Sequence, residues 1–370
     1  MRIVVTGAEG FIGRNLCVRL AESAAHEVVG ITRDTGAAQL REALSAADFV
    51  MHLAGVNRPK DPQEFVSGNA TFTELIVTLL TDSGRATPVL YASSTQAALD
   101  NPYGHSKRAA EAALLRYGEA TGAPVYLFRL PNVFGKWSRP HYNSAVATFC
   151  HLLARGQPIT VHDPAAPLRL IYIDDAIDAF LHCLRSDAPK GPYVEAAPVY
   201  DTTVGDVVGT LREIAESRTS LITGRVGTGL TRGLYATFVS FLPPEEFVYQ
   251  VPRYSDPRGV FVEMLKTPDC GQFSYFTAHP GITRGEHYHH TKTEKFLVIR
   301  GTARFGFRHR QTGETRELEV RGDEGRIVES VPGWTHNVTN IGDDELIIML
   351  WANEIFDRAR PDTVAMKVSM

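Results

Sequence analysis

Residues 1–13 read Met1-Arg-Ile-Val-Val-Thr6-Gly7-Ala-Glu-Gly10-Phe-Ile-Gly13. An apolar run ends in three glycines at intervals of three, and an amphipathic stretch follows over 12–23. Glycine permits a tight turn and lets a pyrophosphate come close to the backbone. The helix behind it presents free N–H groups and the positive end of its dipole. The spacing predicts a strand–turn–helix unit that holds a dinucleotide against Gly7, Gly10, Phe11, Ile12 and Gly13.

Outward from this turn, apolar runs at 28–32, 49–53, 89–92 and 125–130 alternate with helical patterns at 72–81 and 107–120. Near-continuous apolar strands separated by helices predict a parallel sheet covered on both faces, a Rossmann-like doubly wound α/β domain. Asp201-Thr202-Thr203 is a cap signal for a helix over 202–218. The Gly- and Thr-rich stretch 219–240 reads as the end of a domain or a loose connector. From 258 onward, short apolar runs recur at 260–265, 272–277, 296–299, 303–307, 326–331 and 346–351, with turn signals between them. That rhythm predicts an all-β barrel. The change of pattern near Leu242-Pro243-Pro244 divides the chain into 1–243 and 244–370.

Composition narrows the function classes. The chain has 370 residues, 44% hydrophobic and 22% charged, with a formal net charge of −4. That balance argues against a general nucleic-acid or membrane-surface binder. No apolar run reaches the roughly 18 residues of a membrane span. The N-terminus enters a strand directly, without a signal-peptide pattern, which predicts a cytoplasmic protein. Cys17, Cys150, Cys183 and Cys270 are scattered, so neither a disulfide framework nor a cysteine metal site is expected.

The second apolar run ends Ile31-Thr32-Arg33-Asp34. A carboxylate there would read a ribose 2′-hydroxyl, whereas the guanidinium of Arg33 suits a 2′-phosphate, which favours NADPH. Leu53 and Ala54, at the end of the third run, are further cofactor contacts. The fourth run ends Ser93-Ser94-Thr95, and Tyr103-Gly-His-Ser-Lys107 opens the next helix. A tyrosine and lysine four apart share a helix face. The ammonium can lower the phenol's pKa, and the phenol can exchange a proton with a carbonyl oxygen while hydride moves. Ser94 or Thr95 can hydrogen-bond that same oxygen.

With Gly7, Gly10, Gly13, the strand end His52-Leu-Ala-Gly55, Ser94, Tyr103 and Lys107, residues 1–240 resemble the extended short-chain dehydrogenase/reductase family of nucleotide-sugar enzymes. The resemblance implies a Ser94/Tyr103/Lys107 triad and a structural role for Asn69. It also implies that Asn132 and Arg169 bind the diphosphate of a sugar nucleotide.

The barrel half carries Gly281-ITRGE-His287-Tyr-His289-HTKT-Glu294 and Pro332-Gly-Trp-Thr-His336. Residues two apart on a strand share a face, so His287 and His289 project together. With Glu294 and His336 they make a nitrogen and oxygen donor set for Zn²⁺, Fe²⁺, Mn²⁺ or Ni²⁺, and His290 competes with His289. The two segments resemble the two motifs of the cupin family, the second with Pro332 and Gly333 adjacent.

The whole chain resembles a narrower group, the CapF-type bifunctional enzymes of UDP-N-acetyl-L-fucosamine synthesis. That resemblance implies a zinc-containing homodimer acting on a UDP-sugar. The barrel would epimerise C3 of a 4-keto sugar, and the N-terminal domain would reduce C4 with NADPH. Lys292, His290 and Glu294 are candidate bases for the C3 proton, and Tyr288 a candidate acid. In the competing reading, the barrel is only a structural or dimerising module.

Overall fold

Ile3, Val4 and Val5 are fully buried, and this apolar run places β1 (Arg2–Thr6) in the interior of a sheet. The sheet also holds β2 (Glu27–Ile31), β3 (Phe49–His52), β4 (Val89–Ser94) and β5 (Val125–Leu130), in the order β2-β1-β3-β4-β5 with every pairing parallel. Parallel neighbours need crossover connections. Helices Phe11–Ala21, Ala37–Ser45, Phe72–Asp82 and Pro102–Thr121 supply them. Leu40, Leu44, Ile76, Leu80, Leu114 and Tyr117 pack with Val4, Val50 and Val89 into one core. Successive strands leave β1 in opposite directions at β2 and β3. The crevice outside the carboxyl ends of β1 and β3 is therefore where a doubly wound sheet takes its ligand.

The computed structural model describes all residues except 60, 62, 252, 257–258, 263–264, 266–270, 355–358 and 370. Cys270 and part of the apolar run 260–265 fall outside the described residues. The chain divides into two compact units, Met1–Ser144 with Leu168–Asp201, and Ala145–Pro167 with Thr202–Met370. Three short strands, β6 (Asn132–Phe134), β7 (Pro167–Tyr172) and β8 (Tyr200–Thr203), form a second small sheet in the order β6-β7-β8.

The second unit contains helices Ala145–Leu153, Val204–Ser220 and Gly229–Ser240. Its strands are β9 (Val248–Gln250), β10 (Arg253–Asp256), β11 (Gly259–Val262), β12 (Gln272–Ala278), β13 (Thr283–Tyr288), β14 (Glu294–Arg300) and β15 (Thr302–His309). They continue with β16 (Thr315–Arg321), β17 (Arg326–Ser330), β18 (Trp334–Asn340), β19 (Leu346–Ala352) and β20 (Val364–Ala365). Two five-stranded sheets result, β12-β19-β14-β17-β9 and β16-β15-β18-β13-β20. Phe296, Phe305, Phe307, Trp334 and Ile348 are buried in the barrel, with the Phe296 and Phe305 rings 5.6 Å apart.

Two expectations are corrected. The stretch 219–240 is not a loose connector, because its second half is the helix Gly229–Ser240. Gly229, Gly233, Thr231 and Thr237 lower its intrinsic propensity. Burial of Leu234, Tyr235, Phe238 and Val239 outweighs that cost. The polar strand β16, reading Thr-Arg-Glu-Leu-Glu-Val-Arg, was also absent from the apolar-run pattern, because only its Val320 is buried.

The composition changes near 242–244, but the compact units divide elsewhere, and a buried charge network gives the reason. Arg218, on the helix Val204–Ser220, and Lys295, on β14, both pair with Glu329 on β17. The Lys295 ammonium also donates to the Tyr249 hydroxyl at 2.9 Å. Lys295 and Glu329 are almost wholly buried. Removing the one anion of such a group leaves two buried cations uncompensated. Glu329→Ala should therefore lower stability by about 3–5 kcal/mol. A denaturant midpoint within error of the parent protein's would contradict it.

Candidate active sites

The glycine turn is built for an anion. Gly7 has φ +69°, and a Cβ on it would lie 2.8 Å from the Ala54 backbone. A Cβ on Gly13 would sit 2.1 Å from the Gly7 carbonyl oxygen, so the turn and the helix can meet only with glycine at both positions. Gly10 caps the helix Phe11–Ala21 without a side-chain hydrogen bond, and the first turn carries no acidic residue. Its first N–H groups therefore face the crevice with no competing carboxylate on the same turn. Leu53 and Ala54 follow β3 directly. The Leu53 N–H donates to the Thr6 carbonyl oxygen at 3.2 Å, and the Ala54 N–H to the Thr6 hydroxyl at 3.2 Å. β2 ends at Ile31, so Thr32 occupies the usual acidic position and Arg33 is exposed beside it.

The reductive residues converge. Ser94 is the last residue of β4 and is half-buried, whereas Thr95 is exposed. Asn101 caps the helix Pro102–Thr121 by accepting from the Gly104 N–H at 2.8 Å, which fixes the start of the turn carrying Tyr103. The Lys107 ammonium donates to the Ala92 carbonyl oxygen at 2.9 Å. It lies 4.6 Å from the Tyr91 ring centre and 5.9 Å from that of Tyr103. Burial pushes the Lys107 ammonium down to about 8, against the pull of Glu111.

Lys107 does not dominate the phenol as expected. Burial pushes Tyr103 up, opposed by a hydrogen bond from Ser94. The correction suits reduction, since a proton donor must arrive protonated. The Asn69 amide holds the scaffold. Its nitrogen donates to the Val56 carbonyl oxygen at 3.0 Å and the Ser106 hydroxyl at 2.9 Å, and its oxygen accepts from the Val56 N–H at 2.8 Å. Asn69 lies in a six-residue π-helical segment, Val66–Thr71, a distortion common at functional sites.

Asn132 starts β6 and pairs in register with Leu170, one step beyond Arg169 on β7. Both are exposed, and the Arg169 guanidinium lies 3.8 Å from the Asp201 carboxylate. Burial pushes the Cys17, Cys150 and Cys183 thiols up, so none of these three is an activated nucleophile.

In the barrel, a bulge at Glu286 shifts the β13 register and sets His287 directly opposite His336 on β18. His289 follows the end of β13, and Glu294 opens β14. One ligand atom from each of His287, His289, Glu294 and His336 lies within 4.8 Å of all the others. Glu294 Oε2 is 3.0 Å from His289 Nε2 and 3.2 Å from His336 Nε2. His289 is the ring in the cluster. The His290 ring packs instead on Tyr288, centres 5.4 Å apart. Tyr288 alternates with His287 on β13 and lies under the Arg310 guanidinium, so it does not join the cluster.

The donor chemistry fits a cation. His289 Nδ1 is 2.6 Å from the Asp362 carbonyl oxygen, which can only accept. Nδ1 therefore carries a hydrogen, and Nε2 is the ring atom that faces the Glu294 carboxylate. Burial alone would raise Glu294, but His289 and His336 hold it well below the carboxylate range. Burial pushes His287 down to about 3, helped by the neighbouring imidazoles. Three imidazoles around one carboxylate make a donor set that suits a divalent ion. Lys292 Nζ lies 3.6 Å from Glu294 Oε1. Asp362 carried no motif in the sequence and was missed.

Comparison with known proteins agrees with both halves. Residues 3–195 match the NAD dependent epimerase/dehydratase family, and residues 254–364 the polysaccharide biosynthesis C-terminal domain. The chain is 55% identical over 368 residues to a Pseudomonas aeruginosa protein named UDP-2-acetamido-2,6-beta-L-arabino-hexul-4-ose reductase, covering 100% of this chain and 99% of that one. It matches the crystal structure of the capsular polysaccharide assembling protein CapF from Staphylococcus aureus with a TM-score of 0.69 and 40% identity. That match covers 99% of this chain and 100% of CapF. A UDP-glucuronic acid 4-epimerase from Bacillus cereus, 20% identical over 65% of this chain and 98% of its own with a TM-score of 0.55, shares the fold.

Reduction should depend on pH through Lys107. Its folded value, about 8, lies below the ordinary 10.5. Between these values the unfolded chain holds a proton that the folded chain has released, so this residue makes stability rise with pH across that window. Where the charged form is needed to hold the ribose, kcat/KM for ketone reduction should fall as pH rises through about 8. A rate profile flat to about pH 10 would overturn this assignment. In the pH dependence of the melting temperature, Lys107→Met should lack the stabilising rise.

Proposed function

We propose that this chain, which belongs to the NAD dependent epimerase/dehydratase family and carries a polysaccharide biosynthesis C-terminal domain, is a bifunctional nucleotide-sugar enzyme. The barrel domain, 244–370, epimerises C3 of a UDP-2-acetamido-2,6-dideoxy-hexos-4-ulose. The N-terminal domain, 1–243, then reduces the C4 ketone with NADPH to UDP-2-acetamido-2,6-dideoxy-L-talose. What carries this reading is the co-occurrence, in one chain, of a Ser94/Tyr103/Lys107 site and a three-histidine, one-carboxylate cluster. The full-length likeness to the Pseudomonas reductase supports it.

The C3 hydrogen is acidic only because it lies α to the C4 carbonyl. Lys292, 3.6 Å from Glu294, takes that proton as base, solvent delivers a proton to the opposite face of the enolate to invert C3, and Lys292 then loses its proton to solvent. A zinc ion held by His287, His289, Glu294 and His336 would supply Lewis acidity to the ketone. In the reductase domain, Tyr103 gives its proton to the C4 oxygen and regains one from solvent. Ser94 hydrogen-bonds that oxygen, and Lys107 holds the ribose. Bound NADPH supplies the hydride.

Gly7, Gly10, Phe11, Ile12, Gly13, Leu53 and Ala54 line the dinucleotide, Arg33 meets the 2′-phosphate, and Asn132 and Arg169 hold the UDP diphosphate. The enzyme is a cytoplasmic homodimer. No helix among the described residues is long and apolar enough to cross a membrane.

One observation favours the second reading, in which the barrel is only structural. Four protein ligands already fill a tetrahedral zinc shell, as in structural sites. Incubation with the 4-keto UDP-sugar in D₂O separates the two. Without NADPH, deuterium should enter C3, and chelation should abolish that exchange. With NADPH the ketone should be consumed. Tyr103→Phe should cost about 10²–10⁴-fold in reduction and leave exchange intact. Exchange that survives complete removal of the metal would leave the ion a structural role. For the cofactor, Arg33→Ala should weaken NADPH by about tenfold, the value of one charge-assisted contact, and leave NADH unchanged. An unaltered preference removes Arg33 from the site.

A further inference from the structure

The C-terminal end of the chain is stitched across the barrel site. β20 pairs with β13 so that Ala365 stands opposite His287 and Val364 opposite Tyr288. The Met366 N–H donates to the Glu286 carbonyl oxygen at 2.7 Å, and the Val368 N–H to the Glu286 carboxylate at 2.8 Å. Glu286 is the bulge residue, held at φ +59°, and its side chain also accepts from the Asn337 amide at 2.8 Å. The strap therefore grips the irregularity that turns His287 towards His336.

Asp362 grips the other side. Its carbonyl oxygen accepts from His289 Nδ1 at 2.6 Å. One carboxylate oxygen accepts the His290 N–H at 2.9 Å. The other accepts the Thr291 and Lys292 N–H groups, each at 2.8 Å, and the Thr291 hydroxyl at 3.1 Å. Three successive backbone N–H groups form a nest that selects an anion. Next along, the Thr363 hydroxyl accepts from Lys292 Nζ at 3.3 Å. Asp362 itself has φ +32°, a region that aspartate and asparagine enter more readily than most residues.

The geometry points to Asp362 as the positioning residue of the barrel site. Through its carbonyl it fixes the tautomer of the ligand His289. Through its carboxylate it shapes the 290–292 loop that carries Lys292. The inference rests on the four-residue cluster being a divalent-metal site. A ligand imidazole whose far nitrogen is held loses less freedom on binding and presents one lone pair. Loss of such an outer partner costs about 10–100-fold in metal affinity.

Two readouts on the full-length chain test it. On the metal-free protein, amide hydrogen exchange at 290–292 and imidazole nitrogen NMR report the nest and the His289 tautomer without any ion. Zinc titration against a chromogenic chelator reports affinity. Asp362→Ala should raise exchange at 290–292 by about tenfold or more and mix the His289 tautomers. It should weaken zinc binding by about 10–100-fold. Asp362→Asn keeps an acceptor at the same backbone angle and should lose less. If the alanine variant does not fold, the asparagine variant carries the test, with a zinc loss of about threefold or more expected. Exchange, tautomer and affinity all within about twofold of the parent protein's would overturn the inference. A parent chain that binds no zinc would sink the metal reading, while exchange and tautomer would still decide whether Asp362 positions the loop.

Discussion

A carboxylate oxygen and an imidazole nitrogen, Glu294 Oε2 and His289 Nε2, face each other at 3.0 Å inside the barrel. With the His289 Nδ1–H given to the Asp362 carbonyl oxygen, a neutral ring would leave two acceptors facing each other. Two acceptors in a buried site are tolerable only with a cation between them or a proton captured on one. The barrel is arranged around that demand. β13 is bulged to bring His287 opposite His336. The Glu294 N–H is anchored on the Ser330 hydroxyl at 3.0 Å, and the chain end returns to hold the His289 ring. The reductase half meets the converse constraint, a cation buried beside a phenol. There the Ala92 carbonyl oxygen and the Tyr91 ring face stand where water would otherwise solvate Lys107.

Both halves concern one ketone in the proposed reaction. The carbonyl acidifies the neighbouring C–H, and the same carbonyl accepts hydride. Epimerisation is reversible while the ketone persists, and reduction removes the acidity and fixes the centre. Joining the activities in one chain supplies a consumer for an intermediate that would otherwise return to its starting configuration. The chemistry also sets the order, because a reduced C4 can no longer acidify C3.

The features legible in the sequence were those whose chemistry lies in local spacing. The glycines at 7, 10 and 13 and the pair Tyr103 and Lys107 need only one turn of helix to be meaningful. The near-continuous apolar runs betrayed the parallel sheet, because both its faces are covered. What remained open turned on a register of one residue. Ser94 and Thr95 are chemically alike, and only the end of β4 and the differing exposure separate them. His289 and His290 are distinguished by where β13 stops. Asp362 was invisible for a different reason. Its partners lie about seventy residues away in sequence, and a lone aspartate near a chain end carries no pattern. The helix Gly229–Ser240 was missed because tertiary burial overrode weak local propensity.

The buried network around Glu329 shows why a boundary drawn on composition and one drawn on packing differ. Alternation on β14 turns Glu294 into the histidine cluster and its neighbour Lys295 away from it, towards Glu329. The same alternation on β17 gives Ser330 to Glu294 and Glu329 to Arg218. Adjacent residues on two paired strands thus serve the histidine cluster on one face and the helix Val204–Ser220 on the other. A cut at 243/244 follows the change from helical to strand pattern. It also severs Arg218 from Glu329 and leaves a buried carboxylate with one cation where it had two. The change of pattern leaves Val204–Ser220 on the N-terminal side of that cut, whereas electrostatics fastens it to the barrel. A displaced Glu329 would pull on the strand whose next residue holds the Glu294 N–H, so the charge network and the histidine cluster share one mechanical element.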